Sequence, residues 1–158
     1  MSKRPRRLIL CSAIAAAVAV PTIAVAATTT VLNTHKVKAG TVVASPSGLT
    51  LYGFVADDKT HKSTCYGNCA VVWPPLIANG RIVVARGSGL NQRLVGRVKR
   101  NNGKYQVTYG GHPLYRYIAD KKPGQQFGQN VFQSGAKWYV INRSGRYIKP
   151  GSPLVGGY

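Results

Sequence analysis

The chain has 158 residues and no glutamate, so Asp57, Asp58 and Asp120 are its only carboxylate side chains. Acid–base chemistry is left with one candidate pair, Asp57 and Asp120, and nothing in the sequence brings them within working distance. The expectation is a protein that is not an enzyme and needs no cofactor. Helical periodicity is also missing: beyond residue 26 no segment sustains apolar residues at i, i+3 and i+4 over three turns. The Gly-x-Ser-x-Gly elbow of a serine nucleophile is absent, and Ser88 in Arg86-Gly87-Ser88-Gly89 reads as a loop serine. Cysteine is scarce. Past Cys11 only Cys65 and Cys69 remain, and their spacing is neither Cys-x-x-Cys nor a haem-attachment motif.

One long apolar run is present, and it lies at the start. MSKRPRR supplies a basic stretch, LILCSAIAAAVAV an apolar one, and Ala24-Val25-Ala26 a small-x-small cleavage site, so residues 1–26 read as a signal helix for export. Pro5 before and Cys11 after Arg6-Arg7 fit a twin-arginine signal poorly, and bulky Leu10 before Cys11 does not suit a lipobox. Uncleaved, the apolar stretch from Leu8 to Ala27 spans 20 residues, about the thickness of a bilayer, and would act as an anchor. In both cases the remainder is expected outside the cytoplasmic membrane.

Beyond the signal the chain is strongly basic. Losing Lys3, Arg4, Arg6 and Arg7 takes the formal net charge from +19 to +15. Such a field concentrates polyanions, so the candidate partners are anionic lipid headgroups, envelope polymers bearing phosphate or carboxylate, and extracellular nucleic acid. Arg93, Arg97, Lys99, Arg100 and Lys104 form the candidate polyanion-contact stretch, with Tyr105 and Tyr109 nearby to stack on bases or sugars. A solvated hairpin is the plainer reading of the same residues.

The secondary structure reads as β. Thr41–Ala44, Arg81–Val84, Tyr105–Tyr109 and Lys137–Ile141 are rich in β-branched and aromatic residues and bounded by Gly, Pro, Asn and Ser. The chain also repeats itself. LYGFVADD, starting at Leu51, returns as LYRYIAD at Leu114, and Tyr52, Phe54 and Asp57 map onto Tyr115, Tyr117 and Asp120 at a constant offset of 63. Ser45-Pro46-Ser47-Gly48 precedes the first copy and Gly110-Gly111 the second, a pair suited to a two-residue hairpin. Trp73 and Trp138 come after the motifs at comparable distances.

The fold class is therefore all-β: a single small domain of two pseudo-symmetric antiparallel β units after an N-terminal signal helix. A linker is expected over 27–40, the duplicated domain over 41–149 with units at about 41–80 and 105–142, and a tail over 150–158. An aspartate at the exit of each aromatic strand can fix the loop beyond it by accepting its N–H groups, or hold a lysine or arginine.

Cys65 and Cys69, in CYGNCAVVWPPL, form an even pair in an exported chain, which favours a disulfide worth roughly 2 kcal/mol in the chain-entropy model. The alternative is chemistry at sulfur: copper or another soft metal held by Cys65 and Cys69 with His61 or His112 nearby, or a redox-active bridge.

Taken together, LYGFVADD, CYGNCAVVWPPL, YQVTYGGHPLYRYIAD and KPGQQFGQNVFQSGAKWYVI resemble the bacterial secreted-repeat family, over roughly residues 40–142. Members of that family are described as predicted lipoproteins with a Tyr-x-aromatic-x-x-Asp motif. The resemblance implies an extracytoplasmic protein built on a duplicated unit, with no established biochemistry and no catalytic residues to carry over. Two departures stand out. Where members carry acidic residues after the second motif, this chain has Gly124-Gln125-Gln126-Phe127-Gly128-Gln129-Asn130, a loop without the carboxylates calcium prefers. The unsuitable Leu10 also argues against lipid attachment.

Overall fold

The computed structural model describes residues 28–151; the expected signal helix and the end of the tail lie outside them. Among the described residues nine strands carry the fold: β1 Thr29–Val37, β2 Gly40–Ala44, β3 Tyr52–Phe54, β4 Arg81–Val84, β5 Val95–Lys99, β6 Tyr105–Tyr109, β7 His112–Pro113, β8 Phe132–Gln133 and β9 Ala136–Val140. The one α-helix among the described residues, α1 (Asn68–Val72), is a single short turn. The strands form three small sheets ordered β2-β1-β4, β3-β9-β8 and β5-β6-β7.

One sequence expectation needs correction here. The segment 27–40, read as a linker, carries β1, which pairs with β2 on one side and β4 on the other. Its β-branched run, Thr28 to Val31 and onward, is the physical reason. The β1–β4 pairing is also parallel, matching Thr29 with Arg81 through Leu32 with Val84, in a sheet set otherwise antiparallel.

The repeat is visible as two hairpins, β1–β2 and β5–β6, each leading through a turn into an aromatic motif. In the second turn Gly110 and Gly111 both have positive φ, 59° and 85°. Gly110 is further confined, since a Cβ there would lie 2.4 Å from the Gly145 carbonyl oxygen. The first turn is one residue longer. The Leu51 N–H bonds the Val43 carbonyl, whereas the Leu114 N–H bonds that of Val107, so the offset is 64 ahead of the turn and 63 after it.

The two units are interleaved. Tyr52 and Tyr115 exchange both backbone hydrogen bonds, at 2.8 and 2.9 Å, which puts a local two-fold between them. β3 of the first unit pairs with β9 of the second, and Pro75 bridges to Tyr115 in the corresponding way. Val42 likewise bridges to Asn142, and Ile77 to Gln106. The chain after each aspartate loop thus crosses over to complete the other unit's sheet.

Alternation along the motif strand divides the interior into two clusters. Tyr52, Phe54 and Tyr115 pack with Val42, Trp73, Trp138 and Val140. Leu51 and Leu114 point the other way, into a cluster with Leu32, Val43, Val107, Tyr109 and Ile141. Each large side chain buried this way contributes about 1.5–3 kcal/mol. The first cluster carries an aromatic column across the two-fold: Phe54 on Trp138 (4.1 Å between centroids), Trp138 on Trp73 (3.9 Å, planes 2° apart) and Trp73 on Tyr117 (4.3 Å).

Candidate functional site

Each motif aspartate is clasped by the motif tyrosine of the other copy. The Tyr115 hydroxyl donates to Asp57 Oδ2 at 2.7 Å, and the Tyr52 hydroxyl donates to Asp120 Oδ2 at 2.5 Å. The remaining carboxylate oxygen takes the backbone seven residues on. Asp57 Oδ1 accepts from the Thr64 N–H (2.8 Å) and hydroxyl (2.6 Å), and Asp120 Oδ1 accepts from the Phe127 N–H (2.9 Å). Both aspartates are buried, Asp57 at 0% exposure and Asp120 at 3%. Neither pairs with a lysine or arginine among the described residues; phenols and main-chain amides satisfy them.

Burial raises the Asp57 carboxyl above the ordinary carboxylate range, against the pull of its bonds from Thr64 and Tyr115. Burial also pushes the Tyr52 and Tyr115 phenols up, and the facing carboxylates push them further. Both phenols therefore stay protonated and remain donors.

Around Tyr115 and Asp57 the clasp extends into a polar chain. The Tyr115 and Ser63 hydroxyls lie 2.6 Å apart, and since the Tyr115 proton goes to Asp57 the Ser63 hydroxyl is the donor between them; Ser63 Oγ also lies 2.8 Å from Gln106 Oε1. Arg100 closes the chain: Nη1 donates to Ser63 Oγ and to Gln106 Oε1 (2.6 Å), and Nη2 donates to the Cys65 carbonyl (2.6 Å). Its guanidinium carbon also sits 4.4 Å from the centre of the Tyr66 ring, a cation–π contact. Arg100, expected as a polyanion contact, is only 4% exposed and faces inward. Its three acceptors, and the planar guanidinium's tolerance of desolvation, account for that placement.

The rest of the basic stretch is at the surface. Arg93, Arg97, Lys99 and Lys104 are all exposed, on and beside the β5–β6 hairpin. Arg97 lies over the Tyr105 ring at 4.7 Å, which orders one cation and one aromatic on the same outer face. Tyr109, the other aromatic proposed for stacking, is buried and donates from its hydroxyl to the Arg143 carbonyl at 2.7 Å.

Cys65 and Cys69 are joined by a disulfide, with Cα atoms 5.3 Å apart. Their sulfurs are bonded to each other, so the copper arrangement has no thiolates to draw on. His61 is exposed in a left-handed turn (φ 52°). His112 instead meets Asp58, Nδ1 to Oδ1 at 3.0 Å, and the Tyr147 hydroxyl donates to the same oxygen at 2.9 Å. Among the described residues no three His, Cys or Asp side chains converge as a metal site.

A family model for a secreted repeat of unknown function matches the chain twice, over residues 33–77 and 96–142. The chain belongs to this family. Each matched copy of the secreted repeat opens within a hairpin's first strand, β1 or β5, and ends on the last bridging residue of its crossing segment, Ile77 or Asn142, so the family's unit coincides with the structural one. Membership locates the chain outside the cytoplasm. No curated protein and no solved structure matches it.

The motif residues of the secreted repeat, Tyr52, Phe54, Asp57, Tyr115, Tyr117 and Asp120, all meet at the two-fold. Sequence reasoning missed Ser63, Thr64, Gln106, Gln133 and Tyr147. Gln133 fastens both indoles: Trp73 Nε1 donates to its side-chain oxygen at 2.8 Å and Trp138 Nε1 to its carbonyl at 3.1 Å. The alternation in Tyr105–Tyr109 could have placed Gln106 on one face of its strand, but not against a buried arginine.

Proposed function

We propose that this secreted repeat is a non-enzymatic binding module that attaches to the anionic cell envelope by charge. The observation that carries the reading is the separation of the two signs of charge. Asp57 and Asp120 are withdrawn into the interior, and Asp58 is taken by His112 and Tyr147. Of the described lysine and arginine side chains, by contrast, all but Arg100, Arg116 and Lys137 are exposed. The outside is thus cationic with almost nothing of its own to neutralise it, and the field reaches a distant polyanion undiminished by local ion pairs.

Attachment of this kind is governed by screening, because the Debye length shrinks from about 30 Å at 0.01 M salt to about 10 Å at 0.1 M. Retention of the exported protein on teichoic-acid-type polymer or phosphatidylglycerol vesicles is expected to fall steeply across that range. Replacing Arg97 and Lys99 with serine is expected to shift the loss to lower salt. Retention that ignores salt overturns the reading.

A further inference from the structure

Four large apolar side chains are exposed around one buried indole. Val71 (64% exposed) comes from the first copy, and Ile118 (48%), Phe127 (61%) and Phe132 (66%) from the second. Each nevertheless neighbours a residue bonded to, packed on or adjacent in the chain to Trp73, which caps the C-terminal end of α1. Val71 stands two residues before Trp73, and the Ile118 N–H bonds the Val72 carbonyl between them at 3.0 Å. Ile118 also comes directly after Tyr117, whose ring stacks on Trp73. Phe127 precedes Gly128, which packs so closely on the Trp73 ring that a Cβ there would come within 2.6 Å of it. Phe132 precedes Gln133, the acceptor of the Trp73 indole N–H.

We propose that these four side chains form a docking surface for an anionic lipid bilayer, inserting at the headgroup level while the surrounding lysines meet the headgroups. This rests on the envelope-attachment reading above and names the envelope component. Contiguous exposed apolar groups mark interaction surfaces, and interfacial binding strengthens with buried apolar area and with attraction to anionic lipid together. The charges beside the patch have the required sign. Lys121 and Lys122 are exposed just after Ile118, and Lys137 is the cross-strand partner of Phe132. A second copy of the chain would bring like charges together at this face, and a bilayer rich in anionic lipid brings opposite ones. The side chains are phenylalanine and branched aliphatics, without the polar tips that sugar recognition uses. They project from α1, β8 and short loops, whose side chains can enter an interface without displacing the fold.

The test uses protein recovered after export from an expressing bacterium, wild type beside Phe127→Ser/Phe132→Ser. Binding is measured to phosphatidylglycerol vesicles, to phosphatidylcholine vesicles and to soluble polyphosphate at one moderate salt concentration. The wild type is expected to prefer phosphatidylglycerol, and the variant to lose about tenfold in affinity for it by withdrawing two partly inserted rings. Polyphosphate binding and thermal unfolding are expected to stay at wild-type values. Equal vesicle affinity for the two proteins overturns the proposal and leaves charge-driven attachment standing. Self-association of the wild type that the variant loses, seen by sedimentation, also overturns it and assigns the surface to a second copy. A wild type that binds neither vesicles nor polyphosphate overturns the envelope reading itself.

Discussion

The two copies bury the same aspartate–tyrosine clasp in different surroundings. Beside Tyr52 the hairpin β1–β2 supplies Val37 and Val42, both packed in the aromatic cluster. At the matching places of β5–β6 stand Arg100 and Gln106, which join the Tyr115–Asp57 clasp through Ser63. One copy sets two valines beside its tyrosine, whereas the other places a buried cation within one polar chain of the clasp. The two copies share the clasp, and the neighbouring hairpin positions differ. The difference teaches that the clasp does not need the guanidinium, so Arg100 holds something else. Its bonds go to Ser63 and the Cys65 carbonyl, which places it as the pin of the loop after Asp57.

The strongest way to break that comparison is to remove the pin. Arg100→Met keeps most of the volume and strands Ser63, Gln106 and the Cys65 carbonyl, at an expected cost of about 3–5 kcal/mol in urea unfolding. Arg100→Val/Gln106→Val rebuilds the second hairpin on the pattern of the first, and is expected to recover part of the loss. A double variant no better than the single one would show that the apolar solution does not transfer between copies.

The next effect separates the phenols. Tyr115→Phe removes the donor to Asp57 and the link to Ser63, and is expected to cost up to about 3 kcal/mol. Tyr52→Phe removes the donor to Asp120 and an acceptor 3.3 Å from the Gly128 N–H, and is expected to cost less, about 1 kcal/mol. Chemical denaturation of the pair reads the difference directly. Equal losses would mean that the clasp, and not its surroundings, sets the energy.

The disulfide belongs to the first copy alone; at the offset of 63 Cys65 and Cys69 correspond to Gly128 and Phe132. Cys65→Ser/Cys69→Ser should make the loop after Asp57 as unbraced as the loop after Asp120. A loss of about 2 kcal/mol is expected from the short closed loop. Thermal unfolding checks it.

How much of the molecule was legible in the sequence depends on the kind of contact involved. The β class and the doubled motif rest on alternation and a constant offset, both of which are local properties of the string, whereas Trp73 and Trp138 stand 65 apart and were legible only as following their motifs at comparable distances. The crossing of the units is not local: Tyr52 could have faced Asp57 or Asp120, and the repeat treats the two alike. β1 carried a readable run of β-branched residues but stood next to a signal segment, and its parallel partner β4 lies more than forty residues away. Arg100 resembled its basic neighbours because charge alone does not reveal burial. Only the acceptors gathered by folding, Ser63, Gln106 and the Cys65 carbonyl, distinguish it from Lys99.

The smallest expected effect concerns a titratable group present in one hairpin and absent from the other. His35 pairs with Val42 across β1–β2, and Val98 takes the equivalent place, paired with Gln106 across β5–β6. The His35 Nε2 lies 2.9 Å from the Thr50 hydroxyl, whose single proton goes to the Gln125 carbonyl. The ring must therefore donate from Nε2, as a neutral imidazole can. Burial lowers its pKa below the usual 6.5, outweighing the opposing pulls of the Gly48 backbone and the Asp120 carboxylate. A depressed folded-state pKa means that the unfolded chain binds the proton more readily. The contribution of His35 is then complete above 6.5 and lost as pH falls through the folded value. Asp57, raised by burial, works with the opposite sign, since its contribution is complete in acid and fades as pH rises from 3.8 through its folded value. His35→Val copies the second hairpin into the first and removes only the histidine's share. The stability advantage of the wild type over that variant, read from urea midpoints at neutral and mildly acidic pH, is expected to shrink as pH falls. An advantage that holds constant or grows in acid would mean that the imidazole is charged in the fold, and that the two hairpins differ less in polarity than their surroundings suggest.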